Sequence, residues 1–274
     1  TMLASTWNKN ILKKVGEAMG EEVREYGVDV LLAPAINIHR NPLCGRNFEY
    51  YSEDPLLTGE LAASFVEGVQ SQGVGACLKH FVVNEQETNR MTVDTIVSER
   101  ALREIYLKPF EIAIKKSKPW TVMSSYNKLN GYYTSQNSWL LTKVLRYEWQ
   151  FDGFVMTDWF AGDDGAKQMA AGNDLIMPGK SHQVLKHRRN EIDDIRKAIE
   201  NGELTEEVLN ERIRNILRVL VKMPSFKGYN YSNNPDLEKN AKVSYEAGCE
   251  GVVLLKNNEV LPISKDTTIA LFGT

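Results

Sequence analysis

Apolar positions along this chain switch between a helical spacing and short unbroken runs. Ile11, Val15, Met19 and Val23 share one stripe and predict a helix over Trp7–Tyr26, ended by Gly27. Val28–Ile36 is nearly continuous in apolar residues, as a strand covered on both faces is. The alternation then repeats. Pro55–Gln72 predicts a helix with Leu57, Leu61, Phe65 and Val69 in register, and Gly73–Phe81 a strand. Ser98–Lys116 reads as a helix that opens without a full capping box, Trp120–Tyr126 as a strand and Ser138–Trp149 as a helix. Strand Phe151–Thr157, helix Asp163–Ala171 and strand Asp174–Met177 follow, then two helices, Arg189–Asn201 and Thr205–Val221.

Strands each followed by a helix predict βαβ units on a parallel sheet, an α/β fold. A doubly wound sheet announces itself by a glycine-rich turn after its first strand; Gly73-Val74-Gly75 precedes a strand instead. The expected architecture is a (β/α)8 TIM-like barrel over residues 1–223. Such a barrel takes about 250 residues, and with five strands visible the early ones are expected upstream. Thr1-Met2-Leu3-Ala4 has neither the charged nor the apolar region of a signal peptide, so the chain reads as a fragment entered in mid-course. Residues 224–237, rich in Ser, Asn, Gly and Pro, predict a linker. Helix Glu238–Ala247, strand Val252–Leu255 and a strand begun at Thr268–Phe272 predict the start of a second α/β domain, a sandwich, over residues 238–274.

Composition adds exclusions. Thirty-three basic against 36 acidic residues give a net charge of -3, so no field for nucleic acid is expected. Lys186, His187, Arg188 and Arg189 read as a solvated helix start. No apolar run reaches the length of a membrane span, and nothing indicates a compartment. Cys44, Cys77 and Cys249 are odd in number and share no ligand spacing. They are expected to be small buried residues, with no metal and no cofactor. Asn230-Tyr231-Ser232 is a glycosylation triplet, a pattern common by chance.

The chemistry-bearing residues fall at the carboxyl ends of the predicted strands, the face on which barrel active sites lie. The strand Phe151–Thr157 stops on Asp158 and Trp159. Read locally, Asp158 is either a reactive carboxylate or a helix N-cap. Arg46 and Glu49 follow the first strand; Lys79 and His80 end the second, with Glu85, Glu87 and Arg90 just after; Tyr126 ends the third. Cations, an imidazole and rings around one carboxylate suit a ligand covered in hydroxyls. Taken singly, Lys79 or Arg46 reads as a surface ion pair, Lys79 with Glu85 or Glu87, and Tyr126 as a half-buried core residue.

Gly45-Arg46-Asn47-Phe48-Glu49 with Tyr51-Ser52-Glu53-Asp54-Pro55 resembles the signature of family 3 glycoside hydrolases. So do Lys79-His80-Phe81, Met123-Ser124-Ser125-Tyr126-Asn127, Val155-Met156-Thr157-Asp158-Trp159, Asp174-Leu175-Ile176-Met177-Pro178-Gly179, and Gly251 to Asn257. The resemblance spans nearly the whole chain, with its motifs in order. It implies a retaining exo-β-glycosidase of β-glucosidase type acting on terminal β-D-glucosyl residues of glucosides or oligosaccharides. By that likeness Asp158 is the nucleophile and Tyr126 supports it. Arg46, Lys79, His80, Arg90 and Met123 bind the terminal sugar, and Trp159 walls it.

Retaining hydrolysis needs a second, protonated carboxyl group about 5 Å from the nucleophile. With Arg46, Lys79 and His80 around it, Asp158 is expected to be held ionised, so the acid must be another residue. The resemblance puts that acid in a second domain beyond Thr274 and a further sugar-contacting Asp upstream of Thr1, so the complementary remainder of the enzyme is an expected partner. On that reading the segment by itself is expected to be unstable and almost inactive. Glu49, Glu85 and Glu87 are the local carboxylates. The N-acetylglucosaminidase branch carries a His-Asp pair after its Lys-His motif; no histidine follows His80 in that stretch, which favours the glucosidase or xylosidase branch. Two readings from other classes stay open: a Schiff-base aldolase using Lys79, and a catalytically silent carbohydrate-binding piece.

Overall fold

The computed structural model describes residues 1–179 and 191–273. The basic cluster Lys186–Arg189 and the first two residues of the predicted helix Arg189–Asn201 lie outside them.

After one turn, α1 (Met2–Ser5), the first long helix is α2 (Lys9–Glu25). It starts two residues after the expected Trp7 because Asn8 caps it, its side chain accepting from the N–H groups of Asn10 and Ile11. Next come β1 (Val30–Leu31) and α3 (Pro55–Ser71), the latter capped by Asp54 with Pro55 at its first position. Helices α2 and α3 pack backbone to backbone. A Cβ on Gly16 would stand 2.3 Å from the Phe65 carbonyl oxygen, and one on Gly68 2.2 Å from that of Lys13. Strand β2 (Gly75–Phe81) is followed by the short β3 (Asp94–Thr95). The predicted helix over Ser98–Lys116 forms as α4 (Glu99–Ala101), a π-helical turn Leu102–Tyr106, and α5 (Lys108–Ser117). Then come β4 (Thr121–Ser124), β5 (Lys128–Leu129), β6 (Tyr132–Tyr133), a π-helical segment Trp139–Glu148 and β7 (Phe154–Thr157). Helices α6 (Gly165–Ala171), α7 (Glu191–Glu200), α8 (Glu206–Leu220) and α9 (Leu237–Gly251) complete the described elements.

Among the described residues, β1, β2, β4 and β7 form one parallel sheet in that order. The order follows the sequence without the reversal that defines a doubly wound sheet. Leu175 bridges Met156, so the next segment continues the sheet on the same side. Strands β3, β5 and β6 make a separate small sheet. Both faces of the main sheet are covered. Phe81 meets Phe110 and Trp149 edge-on at 5.1 and 5.9 Å, while Cys77, Met123, Phe154 and Met156 form a second apolar cluster.

Four expectations are corrected. Val28–Ile36 is not one strand. Pro34 has no N–H to give to a ladder, so the regular ladder stops at Leu31 and resumes at Ala35, which bridges Lys79, while the carbonyls of Ala33 and Pro34 still accept from Cys77 and Lys79. Asp174–Met177 forms a single bridge at Leu175 rather than a ladder: the Asp174 and Leu175 N–H groups both go to the Val155 carbonyl, the Met177 N–H is taken by the Thr157 hydroxyl at 2.8 Å, and Pro178 follows. Val252–Leu255 and Thr268–Phe272 form no strand, since no neighbour among the described residues pairs with them; Leu255, Leu271 and Phe272 stand exposed. Cys44 and Cys77 are buried as expected, but Cys249 is exposed on α9. Residues 224–235 carry no helix or strand, but they are pinned. Asp29 accepts from the N–H and hydroxyl of Ser225 at 2.9 and 2.6 Å, and the Glu25 carboxylate accepts from Tyr229 and Ser232.

Candidate active site

The carboxyl ends of β2, β4 and β7 meet at Asp158. Its main chain is fixed to β4 by an N–H donated to the Ser124 carbonyl at 3.0 Å. No helix starts there, and α6 takes Asp164 as its cap, so Asp158 is not an N-cap. Its Oδ1 accepts the Trp159 N–H at 2.8 Å, and the Tyr126 hydroxyl donates to the carboxylate. Oδ2 lies 3.8 Å from His80 Nε2. Tyr126 is held between two pinned neighbours: the Ser125 hydroxyl and the Asn127 amide both donate to the Val82 carbonyl. Burial and the neighbouring Asp158 push the Tyr126 phenol up to about 12, so it keeps its proton and acts as a donor.

The electrostatics differ from the expectation in one respect. Burial, the largest influence, raises the Asp158 carboxyl above its ordinary value. The Trp159 N–H, Tyr126, Arg46 and Lys79 oppose that rise without reversing it. His80 is not one of the cations either. Burial, then Arg46, Lys79 and Arg90, push the imidazole well below its usual range, so it is neutral.

Arg46 and Lys79 converge on Glu49 rather than standing free. The Arg46 Nε donates to Glu49 Oε1, and Lys79 Nζ is 3.8 Å from Glu49 Oε2. Lys79 is thus paired to Glu49, not to Glu85 or Glu87. Arg90 binds Glu87 at 2.9 Å and lays its guanidinium over the Tyr126 ring at 4.9 Å. Trp159 is about half exposed and meets Phe160 edge-on. Met123 pairs with Met156, two residues before Asp158, and so lies buried one step beneath the carboxylate on the same sheet face. The structure therefore brings together Asp158, Tyr126, His80, Lys79, Arg46 and, through Tyr126, Arg90.

The sequence reading missed Asn37. It is buried and bonded twice to the main chain of His80, its amide donating to the carbonyl at 2.9 Å and its oxygen accepting the N–H at 2.8 Å. The available signal was one polar residue between Ile36 and Ile38 in an apolar run. Glu85, buried with one oxygen unpartnered, is pushed up to about 8 by burial and takes hydrogen bonds from the Ile38 N–H and Asn37. Among the described residues no group of His, Cys, Asp and Glu is arranged to hold a metal ion, and no helix is long and apolar enough to cross a membrane.

Comparison with known proteins bears on what this geometry serves. Residues 1–219 match the model of the glycosyl hydrolase family 3 N terminal domain. Thermostable beta-glucosidase B of Acetivibrio thermocellus is 50% identical over 272 residues, 99% of this chain and 35% of that protein. An exo-alpha-(1->6)-L-arabinopyranosidase of Bifidobacterium longum is 45% identical over 96% of this chain and 33% of its own length. The structure of beta-glucosidase 3B from Thermotoga neapolitana in complex with glucose superposes with a TM-score of 0.95 at 74% identity, covering 99% of this chain and 38% of that one. The chain spans about a third of the length of the curated relatives it matches.

Proposed function

Since this chain belongs to the glycosyl hydrolase family 3 N terminal domain family, we propose that the protein carrying it is a retaining exo-β-glycosidase that removes terminal β-D-glucosyl residues. The observation that carries the reading is a largely covered carboxylate at a strand end, open to the site on one side and held by the Tyr126 hydroxyl and the Trp159 N–H with Arg46 and Lys79 beside it. In this mechanism Asp158 attacks the anomeric carbon and displaces the aglycone, giving a glycosyl ester that water then hydrolyses. Tyr126 and the Trp159 N–H fix the carboxylate, so little reorganisation is needed at the moment of attack. Lys79, Arg46, His80 and Arg90 bind sugar hydroxyls, Met123 floors the sugar site and Trp159 walls it.

The acid/base is none of the local glutamates. Glu49 and Glu87 are occupied by ion pairs with Arg46, Lys79 and Arg90. Burial gives Glu85 the raised pKa that an acid needs, yet its carboxyl is directed at Asn37 and the Ile38 N–H. We assign the acid to the following domain, which residues 238–274 begin. Residues 1–223 belong on this reading to a closed (β/α)8 barrel completed by other strands of the same protein, with 224–237 the connection.

The arabinopyranosidase match leaves a pentopyranoside, including a β-xyloside, as the alternative substrate. Comparing kcat/KM on aryl β-glucoside, β-xyloside and α-L-arabinopyranoside decides it. The nucleophile is tested in the full-length protein with an activated 2-fluoro-glucoside, which should leave a covalent sugar on Asp158 visible by peptide mass spectrometry. Asp158→Ala should lower turnover by several orders of magnitude. An adduct on another residue, or a loss below about tenfold (roughly 1.4 kcal/mol of barrier), would remove Asp158 from this role.

A further inference from the structure

His80 faces two acceptors. On one side its Nδ1 lies 3.4 Å from Asn37 Oδ1, and on the other its Nε2 lies 3.8 Å from Asp158 Oδ2. A neutral imidazole has one proton to offer, so one of these faces must set a lone pair against a lone pair.

The orientation of the Asn37 amide is not free. The backbone N–H of His80 needs an acceptor and its carbonyl needs a donor, so Oδ1 and Nδ2 are assigned by their main-chain partners. Nδ1 therefore meets an oxygen. Asn37 is 1% exposed, so that side has no room for a third group to relieve a clash of acceptors. The Asp158 side chain keeps 13% of its surface and opens onto the site, so a mismatch there is repaired by whatever enters. The distance of 3.4 Å is long for a hydrogen bond, but a bare Nδ1 at that distance would be repelled rather than merely unbonded.

Resting on the reading of this site as the sugar subsite, we propose that Asn37 is a positioning residue that holds His80 with its proton on Nδ1. Nε2 then meets the substrate as an acceptor and takes the O–H of a sugar hydroxyl. His80 thus selects for a group that can donate. The groups facing it are Asp158, Arg46, Lys79, Arg90 and the Tyr50 ring, 6.3 Å away edge-on.

Neutron diffraction of the full-length protein crystallised with glucose tests this without mutation. Deuterium on Nδ1 alone, with a sugar hydroxyl pointing its deuterium at Nε2, is the expected result. Deuterium on Nε2 with the sugar in place overturns the tautomer and leaves the subsite standing; a sugar bound away from His80 overturns both. Asn37→Asp supplies a kinetic readout that a purely structural role would not move. It keeps an acceptor at Nδ1 and adds a negative charge that favours imidazolium, which cannot accept. A new ionisation should enter the acid side of kcat/KM, with a tenfold loss per pH unit below it. A folded Asn37→Asp protein with an unchanged pH profile argues against the assignment.

Discussion

Asp174 ties the strand carrying Asp158 to two helical segments, and replacing it should loosen that strand. Its carboxylate is fully buried. Oδ2 accepts the Val155 N–H of β7 at 2.7 Å and is paired with Arg146; Oδ1 accepts the Asn215 amide at 2.9 Å and lies 3.5 Å from Arg212. Asp174→Ala would strip the acceptor from three donors, Val155, Arg146 and Asn215, and leave two largely buried guanidiniums uncompensated, apart from the Glu211 contact with Arg212. Breaking a buried ion pair on one side costs about 3–5 kcal/mol, so local opening of β7 should become roughly a hundredfold or more easier. Burial raises the Asp174 carboxyl despite its partners, so the ionised group is costly as well as useful. The triple change Asp174→Leu, Arg146→Met, Arg212→Met should therefore recover much of what Asp174→Ala loses. Hydrogen exchange of the Val155 and Met156 amides in the full-length protein, with denaturation alongside, reads both variants. An Asp174→Ala loss under about 1 kcal/mol would mean that the cost of burial cancels the attractions, and that β7 is held by its ladder alone.

Lys79→Ala should lower kcat as well as weaken binding, because a cation bound to sugar hydroxyls contributes most in the transition state; a rise in KM with kcat unchanged would limit Lys79 to ground-state binding. Glu25 offers a pH test of the pinned segment 224–235. Its carboxyl is held down to about 2, first by the Tyr229 hydroxyl and then by Ser232, against an ordinary value of 4.5. A depressed acid contributes fully above the ordinary value and loses its contribution as pH falls toward the depressed one. The stability gap between the natural protein and Glu25→Gln should therefore close between about pH 4.5 and 2 in denaturation curves, and a gap independent of pH would refute it.

How far the sequence carried the site depends on what each part rests on. Strand β7 was legible because a doubly covered strand leaves an apolar run, here Phe154-Val155-Met156, although it begins at Phe154 rather than at the expected Phe151; Asp158 stood out as the carboxylate after it. The helices α2 and α3 were legible from their stripes, but their close approach depends on two glycines that face each other only in the folded chain. The π-helical turns were not legible, since the apolar spacing there still reads as an ordinary helix. Strands β3, β5 and β6, two residues each, are too short to show any period. Val28–Ile36 misled because apolar content registers burial, whereas a ladder also needs N–H groups, and Pro34 lacks one.

The charges were the least legible part, because the sign of a shift is a contest between partners and burial. Counting cations near Asp158 predicted a lowered pKa; burial reverses the direction. The same burial makes His80 neutral, and neutrality turns the question from charge to tautomer. That question is settled by Asn37, whose own orientation is dictated by two main-chain groups of the residue it serves. A polar residue placed alone in an apolar run costs stability unless its hydrogen bonds are met. Asn37 meets them at His80, and the chemistry of the site is set from behind by a residue that no motif marks.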